Sequence, residues 1–313
     1  QTELGSIVEK FSLAQSLVDN FSGQESIFGS YLLTIKKELP EWRLILTQTQ
    51  EGMGILRGIL GKKDRQTYLF LFQNNMELRP TGGFIGSYGL LTLEGGRLLD
   101  FEVQDVYWAD GQLRGHVEPP AKLKEFLGTA GWYLRDSNWD PDFPTSAARG
   151  AWFLEKETGR QVDGVIGLNL FVAQRILGVF GEVELVDFQE KVNAQNFFGK
   201  AQFHNEVGFF PGSTQKKDFL GALSATLFEK LRQANEFQLA KIILASFQSL
   251  LQRDILVYLP DEQASKILAK LGWDGEIRNG QCNRGERNCL FDYLLVNEAN
   301  VGINKANYFL NRS

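Results

Sequence analysis

The segment from Gln73 to Gly86, QNNMELRPTGGFIG, holds the side chains best suited to bind a polar or anionic ligand. It follows the short apolar run TYLFLFQ, and α/β proteins place their sites at the ends of such buried strands. Arg79 carries the fork of N–H donors that matches a phosphate or carboxylate, and the pair Gly82-Gly83 lets a backbone approach a ligand closely. We predict that the working surface is built around this segment. Its polar candidates are Asn74, Asn75, Glu77 and Arg79.

The same segment also fits a structural corner of the fold. Asn and Gly are common turn formers. Arg79 could pair with Glu77 or with Asp105, which ends a later predicted strand. The residues alone leave both interpretations open, although loops carry function more often than cores do.

A second group of polar residues lies in the loop RDSNWDPDFP. So many oxygen ligands in a short stretch suit a divalent cation or a network of carboxylates and arginines. Helix capping within a solvated loop is the simpler alternative, because Asp142 and Thr145 offer cap oxygens and Pro144 suits an early helical position. The group comprises Arg135, Asp136, Asn138, Asp140 and Asp142.

Two lysines, Lys216 and Lys217, follow Pro211-Gly212 and open a predicted helix. Cations beside a helix N-terminus form an anion site in principle, although most such lysines are only solvated. The motifs of serine hydrolases, zinc proteases, P-loop proteins and dinucleotide-binding proteins are absent from the sequence.

The only two cysteines, Cys282 and Cys289, flank a polar turn in CNRGERNC. Such a pair can close as a disulfide, which would favour an oxidising compartment, or can remain as two thiols beside a strand. Two thiols do not complete a zinc site, and the two histidines, His116 and His204, are distant in sequence.

The composition is that of a folded globular protein, with 43% apolar and 23% charged residues. The 24 phenylalanines predict a thick aromatic core or a core that also lines an apolar cavity. A net charge of −5 argues against a nucleic-acid partner. No run approaches the roughly 18 apolar residues of a membrane span. The chain opens without Met inside a helical pattern, so we expect it to have been cut from an upstream segment.

Apolar spacing predicts a helical stem over residues 1–62 and an α/β domain over residues 63–313. The expected class is a central mixed sheet flanked by helices. The unit around DGVIGLN, LFVAQRILGVF and GEVEL predicts parallel pairing through a crossover helix. Residues 192–212 are expected to be irregular. CLFDYLLVNEANVG is expected to form a final strand, and the strand-like ending suggests a further C-terminal β domain.

The segments QNNMELRPTGGFIGSYG, RDSNWDPDFPTSA, DGVIGLN and VNEANVGINKANYF resemble the bacterial family known as domain of unknown function 4012. The resemblance runs from about Thr67 to the C-terminus. It implies an extracytoplasmic, cell-surface protein that is held to the membrane by an upstream anchor, with the stem following that anchor.

The order of elements is also similar, more distantly, to the LytR-CpsA-Psr (LCP) fold. Members of that family transfer glycopolymers from a polyprenyl-pyrophosphate carrier to peptidoglycan, and hold the lipid in an apolar tunnel. The resemblance places a phosphate-binding arginine at Arg79 and an aspartate at Asp105. It places Thr81 where the family has a metal-binding aspartate, and it finds no counterpart for the later arginine pair.

Two functions follow as hypotheses. In the first, the protein is a glycopolymer transferase, phosphotransferase or pyrophosphatase-like enzyme that binds a polyprenyl-linked substrate, with an apolar tunnel reaching Arg79. Catalysis would fall to Arg79, Asp105 and Glu77, ligand binding to the other polar candidates, and Mg²⁺ to Asp136 and Asp142. In the second, the protein is a non-catalytic binding or scaffold module, in which Glu77, Arg79 and Asp105 satisfy one another.

Overall fold

The helix α1 (Thr2–Asp19) forms the start of the chain, as its apolar spacing predicts. The computed structural model of the protein describes residues 2–19, 39–40, 42–43, 47, 59, 64–206, 219–278, 294–302 and 307. Most of the predicted second and third stem helices lie outside these residues. Lys216, Lys217, Cys282 and Cys289 also lie outside them. None of the described helices is both long and apolar enough to cross a bilayer.

A five-stranded mixed sheet forms the centre of the α/β part, which confirms the predicted class. Its order is β3-β2-β1-β4-β7. Strand β1 pairs in antiparallel fashion with β2 and in parallel fashion with β4, and β7 runs antiparallel to β4. The strands are β1 (Gln66–Asn74), β2 (Phe84–Glu94), β3 (Arg97–Asp105), β4 (Gly164–Asn169) and β7 (Ile255–Tyr258).

The apolar run of β1 arises because helices cover both faces of the sheet. Alternate side chains of a strand point to opposite faces. Leu69 and Leu71 are fully buried within the main core on one face, whereas Phe70 and Phe72 line a cleft on the other face.

Helices and short 3₁₀ turns fill the connections between the strands. Capping follows the sequence closely: the side chain of Asp142 accepts the N–H of Thr145, and the helix that starts there ends at Gly159 in the left-handed region. The helices are α2 (Val106–Asp110), α3 (Ala121–Leu127), α4 (Phe143–Thr158), α5 (Leu170–Phe180), α6 (Phe197–Glu206), α7 (Phe219–Arg232), α8 (Glu236–Leu251) and α9 (Glu262–Leu271). The 3₁₀ turns are η1 (Leu134–Trp139) and η2 (Val186–Phe188).

The predicted parallel crossover after β4 is wrong. The next strand, β5 (Val183–Leu185), pairs in antiparallel fashion with β6 (Glu190–Val192) in a separate two-stranded sheet. Each strand has only three residues, and the apolar side chains of β5 are buried in a second core cluster with helices α5, α6 and α7.

Two other expectations about local structure are corrected. The stretch expected to be irregular contains the helix α6. The described part of the expected final strand, Leu294–Gly302, forms no strand. It runs instead along the polar segment after β1, where the N–H of Asn300 donates to the carbonyl of Leu78 at 2.9 Å. The N–H of Asn300, which a strand would donate to a neighbouring strand, is therefore bonded to this segment instead.

Candidate functional site

The predicted segment Gln73–Gly86 folds back on its own strand. Gly82 has φ +143°, a conformation that side chains rarely adopt. A Cβ at Gly82 would collide with the Gln73 side chain, and a Cβ at Gly83 would collide with the Asn74 backbone. The glycine pair therefore serves a close approach within the protein, where the sequence suggested a close approach to a ligand.

Arg79 is 4% exposed, and its guanidinium is surrounded by acceptors of the protein itself. Its Nη2 donates to Oε1 of Glu77 at 3.1 Å. Its Nη1 donates to the carbonyls of Leu78 at 3.1 Å and Asn300 at 2.8 Å. Its Nε lies 3.9 Å from Oδ1 of Asp136 and has no hydrogen-bond partner among the described residues. Arg79 thus binds two buried carboxylates and the chain segment that was expected to form a strand.

The ion pairs continue from Arg79 through the second predicted polar group. Asp136 is also 3.3 Å from Nε of Arg135. Nη1 of Arg135 donates to Oδ2 of Asp110 at 2.6 Å, and its guanidinium lies 4.4 Å from the ring centre of Tyr133. We call the connected set Glu77, Arg79, Asp136, Arg135 and Asp110 the charged network. It joins the segment after β1 to α2 and η1.

Acidic side chains outnumber basic ones in and around the charged network. Burial raises the pKa values of several of these carboxyl groups. Burial raises the pKa of Asp110 to about 6 although Arg135 opposes the shift. Burial, with the nearby charge of Asp110, raises the pKa of Glu157 to about 8. Glu157 accepts the N–H of Leu134 at 3.0 Å through Oε1, while its Oε2 is buried without a partner in the described part of the chain. Burial also raises the pKa of Asp136, against the effect of Arg135 and Arg79.

Two predicted acidic residues serve as helix caps. Asp105 caps α2, where Oδ1 accepts the N–H of Tyr107 at 2.8 Å. Asp142 caps α4 and also accepts the N–H of Ile277 at 2.9 Å. Among the described residues, Arg79 forms its ion pairs with Glu77 and Asp136 and not with Asp105.

The two residues expected to bind magnesium, Asp136 and Asp142, have partners within the protein. The two oxygens of Asp136 face two arginines, and Asp142 is engaged by backbone N–H groups. Across the described ranges, no three His, Cys, Asp or Glu side chains gather as a metal-binding group.

Two of the three asparagine candidates, Asn74 and Asn138, hydrogen-bond to the backbone of the protein. Oδ1 of Asn74 accepts the N–H of Met76 at 3.0 Å, and Nδ2 of Asn138 donates to the carbonyl of Gly83 at 2.8 Å. The Oδ1 atoms of Asn75 and Asn138 are buried with no partner in the described residues. The structure therefore brings the two predicted polar groups together through Asn138, Asp136 and Arg79.

An apolar cleft of about 250 Å³ lies on the opposite face of the sheet, between the strands and helices α5, α7 and α8. Neither Arg79 nor Asp105 is among the residues that line this cleft. The cleft lining comprises Phe70, Phe72, Leu91, Phe101, Leu168, Asn169, Val172, Ala173, Ile176, Ser224, Leu227, Phe228, Leu231 and Ile242.

The two polar side chains of the cleft lining are occupied elsewhere. Nδ2 of Asn169 donates to Asp254 at 2.6 Å, and its Oδ1 accepts the N–H of Phe171 at 3.0 Å. The hydroxyl of Ser224 donates to the carbonyl of Leu220 at 2.8 Å. The cleft thus offers a ligand hydrocarbon and aromatic surface.

The described α/β part is thus a mixed-sheet protein with a polar network on one face and an apolar cleft on the other. Residues 63–202 match the family described as Protein of unknown function (DUF4012). The match supports the family resemblance of this part of the sequence. It includes the whole charged network, whereas α7 and α8, which close the cleft, follow it. A comparison with curated proteins found no match.

Proposed function

We propose that the protein is an extracytoplasmic binding module of the cell envelope that holds one apolar chain, of the polyprenyl type, in the cleft. The single observation that carries this proposal is the chemistry of the cleft lining, which is apolar apart from two side chains that are already hydrogen-bonded. The envelope setting, with a membrane anchor upstream, rests on the family resemblance of the sequence.

The dimensions of the cleft favour a segment of one chain over a compact polar ligand. Its volume of about 250 Å³ lies just below the range of about 300–1,000 Å³ that is usual for drug-sized ligands. Each methylene transferred from water into such a cleft contributes roughly 0.8 kcal/mol. Phe101 and Phe228 stack with ring centres 3.9 Å apart in the cleft wall, which supplies a flat apolar contact surface.

The charged network supports binding rather than transfer of a polyprenyl-linked substrate. Both terminal nitrogens of Arg79 donate to groups of the protein. A pyrophosphate would have to displace Glu77 and the chain at Asn300 to reach them. We therefore assign Arg79 a structural role and leave glycopolymer transfer, with its Mg²⁺, as the alternative.

Helix α8 carries further apolar surface close to the cleft. Its Ile242 lines the cleft, while Phe237, Ile243 and Leu244 of the same helix are 68%, 67% and 48% exposed. Large exposed apolar side chains on one helix are typical of an interaction surface. Such a surface suits a protein that receives its ligand from an apolar phase.

Calorimetric titration with farnesol and with farnesyl pyrophosphate, each with and without MgCl₂, tests the proposal. We expect both probes to bind with dissociation constants within about three-fold of each other, because the chain supplies the contact, and we expect no effect of magnesium. Binding of the pyrophosphate alone, and only with magnesium, would favour the transferase. Binding of neither probe would reject the cleft as a chain-binding site.

A further inference from the structure

A second pocket, of about 320 Å³, lies between η1, the loop after it and the first turns of α4. These elements pack on the Leu71 face of the sheet, away from the apolar cleft. We propose that this pocket binds an acidic saccharide through Trp132, Trp139 and Arg149. The inference does not rest on the proposed function, because the two cavities share no lining residue.

Arg149 differs from the other arginines that are buried or half-buried around the sheet. Arg79, Arg135 and Arg175 each contact a carboxylate, at 3.1, 2.6 and 2.6 Å. Arg149 is half-buried and lies 4.8 Å from the ring centre of Trp132 and 5.5 Å from that of Trp152. No hydrogen bond or ion pair to its guanidinium occurs within the described residues. Its position is thus set by aromatic rings, and its donors remain for a ligand.

The hydroxyl of Ser137 gives a second, independent indication of a ligand. Ser137 lines the pocket and is 1% exposed, yet its Oγ has no hydrogen-bond partner in the part of the chain that the structure describes. Buried polar atoms are normally paired. A ligand oxygen at the base of the pocket would satisfy this hydroxyl.

The remaining walls fit a sugar ring. Trp132 is held in place because its Nε1 donates to the carbonyl of Asp136 at 2.9 Å. Trp139 is half-buried in the pocket wall. A pyranose has an apolar face of C–H groups that packs on indole, and hydroxyls that reach polar groups at the rim. Asp140 is exposed at that rim and can accept from a hydroxyl.

A carboxylate on the sugar would complete the match. Arg binds carboxylates through two parallel N–H bonds, and Arg149 is the guanidinium that lines this pocket. Asp140 repels an anion only weakly, because it is solvent-exposed and therefore screened. A uronic acid residue supplies the apolar face, the hydroxyls and the carboxylate in one ring.

Calorimetry with trigalacturonate, neutral maltotriose and inorganic phosphate tests this site. We expect trigalacturonate to bind at least ten-fold more tightly than maltotriose and phosphate. Arg149→Gln and Trp139→Ala should each weaken trigalacturonate binding by ten-fold or more. The matched control is Lys156→Gln, because Lys156 is exposed and lies 5.8 Å from the Trp152 ring, outside the pocket. It should change the affinity by less than two-fold.

The opposite results would overturn the assignment. Equal effects of Arg149→Gln and Lys156→Gln would show a general charge effect. Phosphate binding as tight as that of trigalacturonate would show a simple anion site, and no binding at millimolar concentration would show no site. Thermal melts establish that each variant is folded. If Trp139→Ala unfolds, Trp139→Leu and Arg149→Lys replace it, and both are expected to weaken binding while the melting temperature is kept.

Discussion

The two faces of the central sheet differ in how they handle polar groups. On the Leu71 face, carboxylates and arginines are buried and pair with one another. On the Phe72 face, the two polar side chains that line the cleft are already hydrogen-bonded, and space remains between the sheet and its helices. The charged network on the polar face has the residue types that suggest catalysis, but its side chains are engaged with one another, whereas the cleft on the apolar face leaves space for a ligand. This difference shows that a cluster of polar residues in sequence can hold structural elements together, whereas an ordinary apolar run can line a binding cleft.

The largest effect on stability is expected from breaking the charged network. Arg79→Ala leaves Glu77 and Asp136 buried without their shared cation, so we expect the free energy of unfolding to fall by about 3–5 kcal/mol. Urea denaturation measures this change. Arg160→Ala is the matched control, because Arg160 pairs with Glu102 at 2.7 Å on the surface. An exposed pair contributes about 0–1 kcal/mol. Equal losses of unfolding free energy in the two variants would show that the charged network does not hold the segment after β1 to α2 and η1.

A smaller effect is expected from pH. A carboxyl with a raised pKa in the folded state binds its proton more tightly there than in the unfolded chain. The free energy of unfolding should therefore fall as pH rises from the ordinary value of 4.5 for Glu157 towards about 8. Between pH 5 and pH 8 we expect a fall on the order of 2–4 kcal/mol, at roughly 1.4 kcal/mol per pKa unit.

The substitution Glu157→Gln isolates this contribution to the pH dependence. It should flatten the decline in urea-measured stability, leaving the part that Asp110 contributes below about pH 6 and the part that Asp136 contributes. Glu155→Gln, in which the exposed neighbour is changed, should keep the full decline. A decline that is identical in both variants would remove Glu157 from the account.

The smallest effect is expected at the two acidic caps. Asp105→Ala and Asp142→Ala should each cost about 1 kcal/mol, because each removes an oxygen that accepts an N–H at the start of a helix. Asp142→Ala should cost somewhat more, since the N–H of Ile277 also loses its acceptor. Denaturation measures both losses. Loss of farnesol binding in Asp105→Ala without a loss of stability would restore Asp105 to the binding site.

The sequence was sufficient for much of the sheet and for the helix ends. The continuous apolar run TYLFLFQ and the cap residue Asp142 are local signals, and the structure confirms the buried strand and the helix start that they predict. The polar segments at Arg79 and Asp136 were found because the charges stand out in sequence.

Other contacts of the site depend on long-range packing that a local pattern does not contain. Asn300 meets Arg79 across 221 positions. Sequence reasoning missed Asp110 and Glu157. Asp110 lies at helical spacing from the buried Val106, and Glu157 lies at helical spacing from the buried Leu154. A charged residue among the apolar positions of a helix was therefore the available signal. The sequence left open whether its phenylalanines form only a core or also line a cavity, and it did not indicate which of them line the cleft, because core and cavity phenylalanines look alike in sequence.

The most direct test of the account compares farnesol affinity in two variants by calorimetry. Ala173→Phe fills the cleft, while Arg79→Lys changes the predicted phosphate ligand but keeps a buried cation. Ala148→Phe, on an exposed position of α4, controls for the added ring. We predict that Ala173→Phe weakens binding at least ten-fold and that Arg79→Lys and Ala148→Phe stay within three-fold of the unaltered protein. Lost binding in a folded Arg79→Lys variant, with binding kept in Ala173→Phe, would contradict the account.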